Sequence, residues 1–191
     1  MGNTPISGHL GGFIEGGNLA TWGDVVWNYL IEQYNITSMI DVGCGAGYSL
    51  RYFLDKGIDA WGTEGYPNIQ QYAVCPLDRI HVVDYEEEAY VPDREFDFVW
   101  SCEFVEHVSD ENKNNFLKTF EKGKYIGMTY AVPGQSGHNH VNCNTEEFWV
   151  NVLKEYGFTH NEKVSKNMRD LIGTTNYGQH IRATFLFFEK L

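Results

Sequence analysis

The stretch SMIDVGCGAGYSLRYFLDKG, residues 38–57, constrains the fold more than any other part of the chain. A short apolar run ends at Asp41, glycines stand at Gly43, Gly45 and Gly47, and an amphipathic segment then runs to a stop at Gly57. That order is strand, glycine loop, helix. Glycine lets the backbone turn where a Cβ would clash, so such a loop can also approach a ligand closely. Downstream, IDAWGTEG reads as a second strand ending near Glu64, RIHVVDY as a third, FDFVWSCE as a fourth and KYIGMTYAV as a fifth. FTHNEKV and IRATFLFFEK supply the last two.

Helical segments lie between them. TWGDVVWNYLIEQY is expected to be capped by Thr21, and Pro67 to open a helix reaching about Cys75. SDENKNNFLKTFEKG places Phe116, Leu117 and Phe120 on one face, and Asn144 is expected to cap TEEFWVNVLKEYG, which Gly157 stops. Residues 165–178 are polar and carry no clear period. Seven strands alternating with helices predict an α/β, Rossmann-like, mainly parallel sheet with helices on both faces. One domain over 1–191 is expected, with the glycine-rich residues 1–20 as an arm or lid.

Composition narrows the partners. At 191 residues the chain can bury a sizeable core, and its net charge of −12 argues against nucleic acid or an anionic membrane as the main partner. Cys44, Cys75, Cys102 and Cys143 form no C-x-x-C pair, so reduced thiols are expected. The N-terminus lacks the charged and apolar regions of a signal peptide, and no apolar run is of membrane-spanning length. A cytoplasmic location follows as an expectation.

In a sheet of this kind ligands bind beyond the carboxyl ends of the strands, beside the first one. A dinucleotide fingerprint would put its third glycine at position 48, where this chain has Tyr48, so the spacing is G-x-G-x-G. Glu64 ends the second strand, where a carboxylate can accept from a ribose diol. Asp84 follows the third strand and SCEFVEHV the fourth. In this order IDVGCGAG, GTEG and VVDY resemble the first three motifs of the class I S-adenosylmethionine (SAM)-dependent methyltransferases, from about Met39 to the C-terminus. The resemblance implies that Gly43, Gly45 and Gly47 line the methionine part of SAM, that Glu64 holds the ribose, and that Asp84 meets the adenine amino group together with Tyr85. Asp41 is counted with this cofactor set, as an anchor of the loop. Glu103 stands where the methyl donor should lie, and His107 either faces the site or starts the next helix.

GQSGHNHVN, residues 134–142, puts His138 and His140 one residue apart after the fifth strand. Three readings compete: a metal pair, an acid/base pair, or a polar turn. The glycine-loop fold weighs against metal, since H-x-H hydrolases usually sit on longer barrels. We therefore expect no metal and place His140, His138 and Glu103 at the acceptor as catalytic candidates. The resemblance supports His140, which precedes an aromatic-rich helix ending in GF, whereas His138 lies outside that pattern. Trp22 and Phe13 are expected to lie over the donor, residues 165–178 over the acceptor, and Arg169 near an acidic substrate group. The expected activity is methyl transfer from SAM to a small-molecule or sugar acceptor, at oxygen in preference to nitrogen. The alternatives are a SAM-binding module without turnover and, more distantly, a nicotinamide dehydrogenase.

Overall fold

A computed structural model describes residues 8–10, 12 and 16–191. Seven strands form one sheet: β1 Ser38–Val42, β2 Asp59–Glu64, β3 Ile80–Val82, β4 Phe96–Ser101, β5 Gly123–Met128, β6 Phe158–His160 and β7 Leu186–Lys190. Their spatial order is β3-β2-β1-β4-β5-β7-β6. β1 to β5 run parallel to one another, and β7 is antiparallel to both β5 and β6. The strand order reverses at β1, between β2 and β4, so the loops leaving β1, β2 and β4 converge at one edge.

The helices are α1 Asp24–Tyr34, α2 Tyr48–Asp55, α3 Lys113–Phe120, α4 Glu146–Glu155, α5 Glu162–Ile172 and α6 Gln179–Thr184. Alternating strand residues feed two cores. Ile40, Val99, Ile126 and Phe188 face α3 and α4 through Phe116, Phe120, Trp149 and Leu153. Met39, Phe98, Trp100 and Phe187 face the opposite layer, which includes Trp27, Phe53, Met168 and Ile181. Both faces of the central strands are therefore apolar, as a covered parallel sheet requires. None of the helices among the described residues is long and apolar enough to cross a membrane.

Five local expectations need correction. Thr21 does not cap α1: its hydroxyl donates to the Asn18 carbonyl in a 3-10 turn, and α1 begins after Gly23 without a side-chain cap. After Pro67 only a short 3-10 turn forms, Ile69–Gln71, because the Val74 N–H is drawn to the Ala46 carbonyl. The cap of α4 is Thr145, whose Oγ1 accepts from the Phe148 N–H, while Asn144 donates to Asn142. Much of 165–178 belongs to α5, capped by Asn161, with Val164, Met168 and Ile172 buried at four-residue spacing. IRAT is the end of α6 rather than the start of a strand, since Ile181 and Thr184 are buried one helical turn apart.

Candidate active site

The glycine loop leaves β1 in a conformation that side chains resist. Gly43, Gly45 and Gly47 have φ of 82°, 53° and 80°. A Cβ at Gly43 would lie 2.4 Å from the Phe104 ring, and one at Gly47 would lie 2.5 Å from Cys75 Sγ. The loop is tied to β2, where the N–H groups of Gly43 and Cys44 both donate to the Thr63 carbonyl. Glu64 adds a second tie, accepting from the Gly45 N–H at 2.9 Å and from the Tyr66 N–H at 2.9 Å. Two backbone bonds fix this carboxylate at the pocket edge with lone pairs to spare. Burial raises its pKa against the lowering effect of those bonds.

Asp41 lies behind the loop. It is 4% exposed, accepts from the Ser49 hydroxyl at the start of α2, and does not line the main cavity. Through Ser49 it ties the end of β1 to the start of α2, behind the loop. Burial, partly countered by Ser49 and reinforced by Glu64, moves its pKa from 3.8 to about 7. The folded chain therefore holds this proton more tightly than the unfolded one. The stabilisation is full below pH 3.8 and is lost as pH rises towards about 7, with a slope of up to roughly 1.4 kcal/mol per pH unit. Asp41→Asn should flatten that slope in ligand-free urea titrations at stepped pH; an unchanged slope would refute the assignment.

The cavity in front of the loop measures about 300 Å³ and runs from Gly43 and Glu64 to His138, His140 and His180. Its described walls carry the carboxylates of Glu64, Asp84, Glu86 and Glu103 and no lysine or arginine. Asp84 Oδ1 accepts from the Glu86 N–H at 3.0 Å, and its Oδ2 lies 2.8 Å from His9 Nε2. His9, Leu10 and Gly12 line the cavity, so this part of the N-terminal arm lies over it. Phe13 lies outside the described residues. Trp22 does not line the main cavity and packs edge-on against Trp27 and Tyr52. Tyr85 lines the cavity, and its hydroxyl bonds Thr119 at 2.8 Å and Thr63 at 3.3 Å in the core.

At the other end of the cavity Glu103 takes a left-handed φ of 53° directly beyond β4. Its N–H donates to Thr129 Oγ1 at 2.8 Å, and the Thr129 hydroxyl donates to Glu103 Oε1 at 3.0 Å. Oε2 is 2.8 Å from His180 Nδ1. Burial would raise the Glu103 carboxyl, yet the bond and charge of His180 bring it below its usual value. The same bond raises the His180 imidazole despite its burial. Nδ1 is thus engaged, which leaves Nε2 for a ligand. Sequence reasoning missed His180, and the signal lay in Gly178, whose φ of 71° starts α6 and brings the histidine round to the cavity.

The histidine loop is stitched to the turn after β4. The N–H groups of Val141 and Asn142 both donate to the Glu106 carbonyl, and Asn142 Nδ2 donates to the Val108 carbonyl at 3.0 Å. Asn139, at φ 47°, turns the chain between His138 and His140. Both histidines line the cavity, as does His107, whose ring meets that of His140 edge-on at 5.1 Å. Residues 165–178 do not line it, and Arg169 pairs with Glu146 at 3.3 Å in a separate surface groove. The expectation that they cover the acceptor fails because α5 is needed to bury the sheet.

A family model described as a methyltransferase domain matches residues 34–133. No curated protein sequence matches the chain. Among solved structures, a sugar N-methyltransferase from Streptoalloteichus sp ATCC 53650 is 15% identical, with 100% of this chain and 98% of that one covered at a TM-score of 0.69. Magnesium protoporphyrin IX methyltransferase from Synechocystis PCC 6803, crystallised with bound SAM, is 14% identical over 88% of this chain and 77% of that one, with a TM-score of 0.61. A putative sarcosine dimethylglycine methyltransferase from Galdieria sulphuraria is 14% identical over 88% and 84%, with a TM-score of 0.57.

Proposed function

Because the chain belongs to the methyltransferase-domain family, we propose that it uses SAM to methylate a small-molecule acceptor, with a sugar hydroxyl as the favoured class. The observation that carries this reading is one continuous cavity with a glycine loop at one end and a histidine-lined chamber at the other. The residues fit the donor: three glycines leave room for close backbone approach, Glu64 is fixed where a diol can bond, and Asp84 keeps lone pairs beside His9. When bound, SAM supplies an electrophilic methyl on a cationic sulfur, which suits a chamber walled by carboxylates.

Each residue of the chain then has a task. Gly43, Gly45 and Gly47 shape the floor under the donor, and Asp41 holds that floor from behind. Glu64 and Asp84 orient the nucleoside, and Tyr85 contributes packing. Glu103 orients His180, which accepts the hydroxyl proton through Nε2 as the oxygen takes the methyl. His138 and His140 form the acceptor wall, and His9, Leu10 and Gly12 close the chamber as a lid. The sugar class accords with the sugar N-methyltransferase whose fold spans nearly the whole of both chains. Oxygen rather than nitrogen is favoured because a base beside the acceptor is what a hydroxyl, with its high pKa, most needs.

Mass spectrometry of neutral sugars and glycosides incubated with SAM tests the reading. A product heavier by one methylene, formed only with active protein, supports it. Tight calorimetric binding of the demethylated donor with no product from any acceptor tried would instead favour a regulatory SAM-binding module.

A further inference from the structure

The His138-x-His140 pair is not where the ligand atoms gather. His138 lies against the arm, where a Cβ on Gly12 would be 3.3 Å from its ring. His140 instead converges with Glu106 and His107, and one ligand atom from each of the three lies within 4.8 Å of the others. Three atoms at that spacing have a common centre at most about 2.8 Å away, so contraction by roughly 0.6 Å would reach bonding distance for a first-row metal. Two further observations point to a ligand. Glu106 is 0% exposed, and its carboxylate oxygens accept from no donor group among the described residues; the side chain beside them is a second carboxylate, that of Glu103. The Nδ1 of His107 is likewise buried and unpartnered, while its ring is held by the backbone of Asn139. A ring anchored through one nitrogen with the other left bare is how metal-binding histidines are usually set.

We propose that Glu106, His107 and His140 form a binding site for a divalent transition-metal cation, with its remaining coordination positions open to the acceptor chamber. Two imidazoles and one carboxylate suit zinc, cobalt or manganese better than calcium, which prefers all-oxygen sites. Three protein ligands leave room for a further oxygen ligand, and His107 and His140 both line the cavity. The backbone bonds from Val141 and Asn142 to the Glu106 carbonyl hold two of the contributing segments together before any ion arrives. What the ion does rests on the methyl-transfer reading: an acceptor hydroxyl seated at the open position is polarised, and its proton passes to His180.

Cobalt is the probe. The purified full-length chain, dialysed against chelator and titrated with Co²⁺, is expected to bind one equivalent with visible d–d absorption that Zn²⁺ displaces. Glu106→Gln and His140→Ala should each weaken binding by at least about 100-fold, whereas His138→Ala should bind as the unsubstituted chain does. Thermal melting keeps folding separate: Co²⁺ should raise the midpoint of the unsubstituted chain and leave that of Glu106→Gln unmoved. Absence of stoichiometric binding, or binding that survives Glu106→Gln and His140→Ala, overturns the site. Calorimetry with the demethylated donor on the same samples separates the two ideas. Normal donor binding without metal binding removes only the metal site. Metal binding without donor binding removes the methyl-transfer reading and leaves the site standing.

Discussion

Replacement of His180 by alanine is expected to lower kcat by about 10²- to 10⁴-fold, the usual contribution of a positioned general base. Affinity for the demethylated donor should stay within about twofold, because an interaction made in the transition state leaves ground-state binding largely alone. The pH profile carries the sharper test. Glu103 raises the His180 pKa above its ordinary 6.5, so the neutral, proton-accepting form accumulates only above that value. kcat should therefore rise with pH along a limb displaced to the alkaline side of 6.5. In Glu103→Gln the charge is gone, and the limb should move to lower pH even though the maximal rate also drops. A His180→Ala enzyme with near-normal kcat, or a limb that stays put in Glu103→Gln, would show that the proton leaves by another route.

Glu64→Ala should produce the second large effect, on the donor alone. The carboxylate holds the N–H groups of Gly45 and Tyr66 and, on our reading, the ribose diol as well. Hydrogen bonds to a charged group contribute about 1.5–3 kcal/mol each, so loss of the diol contacts should weaken donor binding by at least about 100-fold. Calorimetry with SAM and its demethylated product measures this directly. Because Glu64 pays a burial penalty of its own, the folded chain should not lose stability in proportion. Global unfolding of Glu64→Ala would mean that the carboxylate serves the loop and not the ligand. Unchanged affinity in a folded variant would remove Glu64 from the nucleoside site.

The donor end of this site was far more legible in the sequence than the acceptor end, and the reason is physical. Gly43, Gly45, Gly47, Glu64 and Asp84 sit at or just beyond the ends of parallel strands, and alternation of strands with helices is enough to bring those ends to one edge. The acceptor end depends on how irregular segments fold back. His180 came into place because a left-handed Gly178 starts a helix that takes in the first residues of IRATFLFFEK, which suggested only a strand. Glu106 sits in a 3-10 turn, without a period to betray its burial. The direction of the Tyr85 hydroxyl is not legible from its position after β3, since a large side chain beside a strand end can turn inward as easily as outward, and Thr119 offers it a buried partner. The α4 cap slipped by one residue because Asn144 and Thr145 are both good caps and only tertiary contacts choose between them.

The described walls of the chamber, rich in carboxylates and without lysine or arginine, bear on turnover as well as on entry. A sulfonium donor arrives positively charged and leaves, after losing its methyl, with a neutral sulfur. Walls of this sign attract the first and are indifferent to the second, so their grip relaxes at the moment the reaction is complete. The same charges that gather the fresh donor thereby favour release of the spent one, and the cycle gains a direction from the electrostatics of its container.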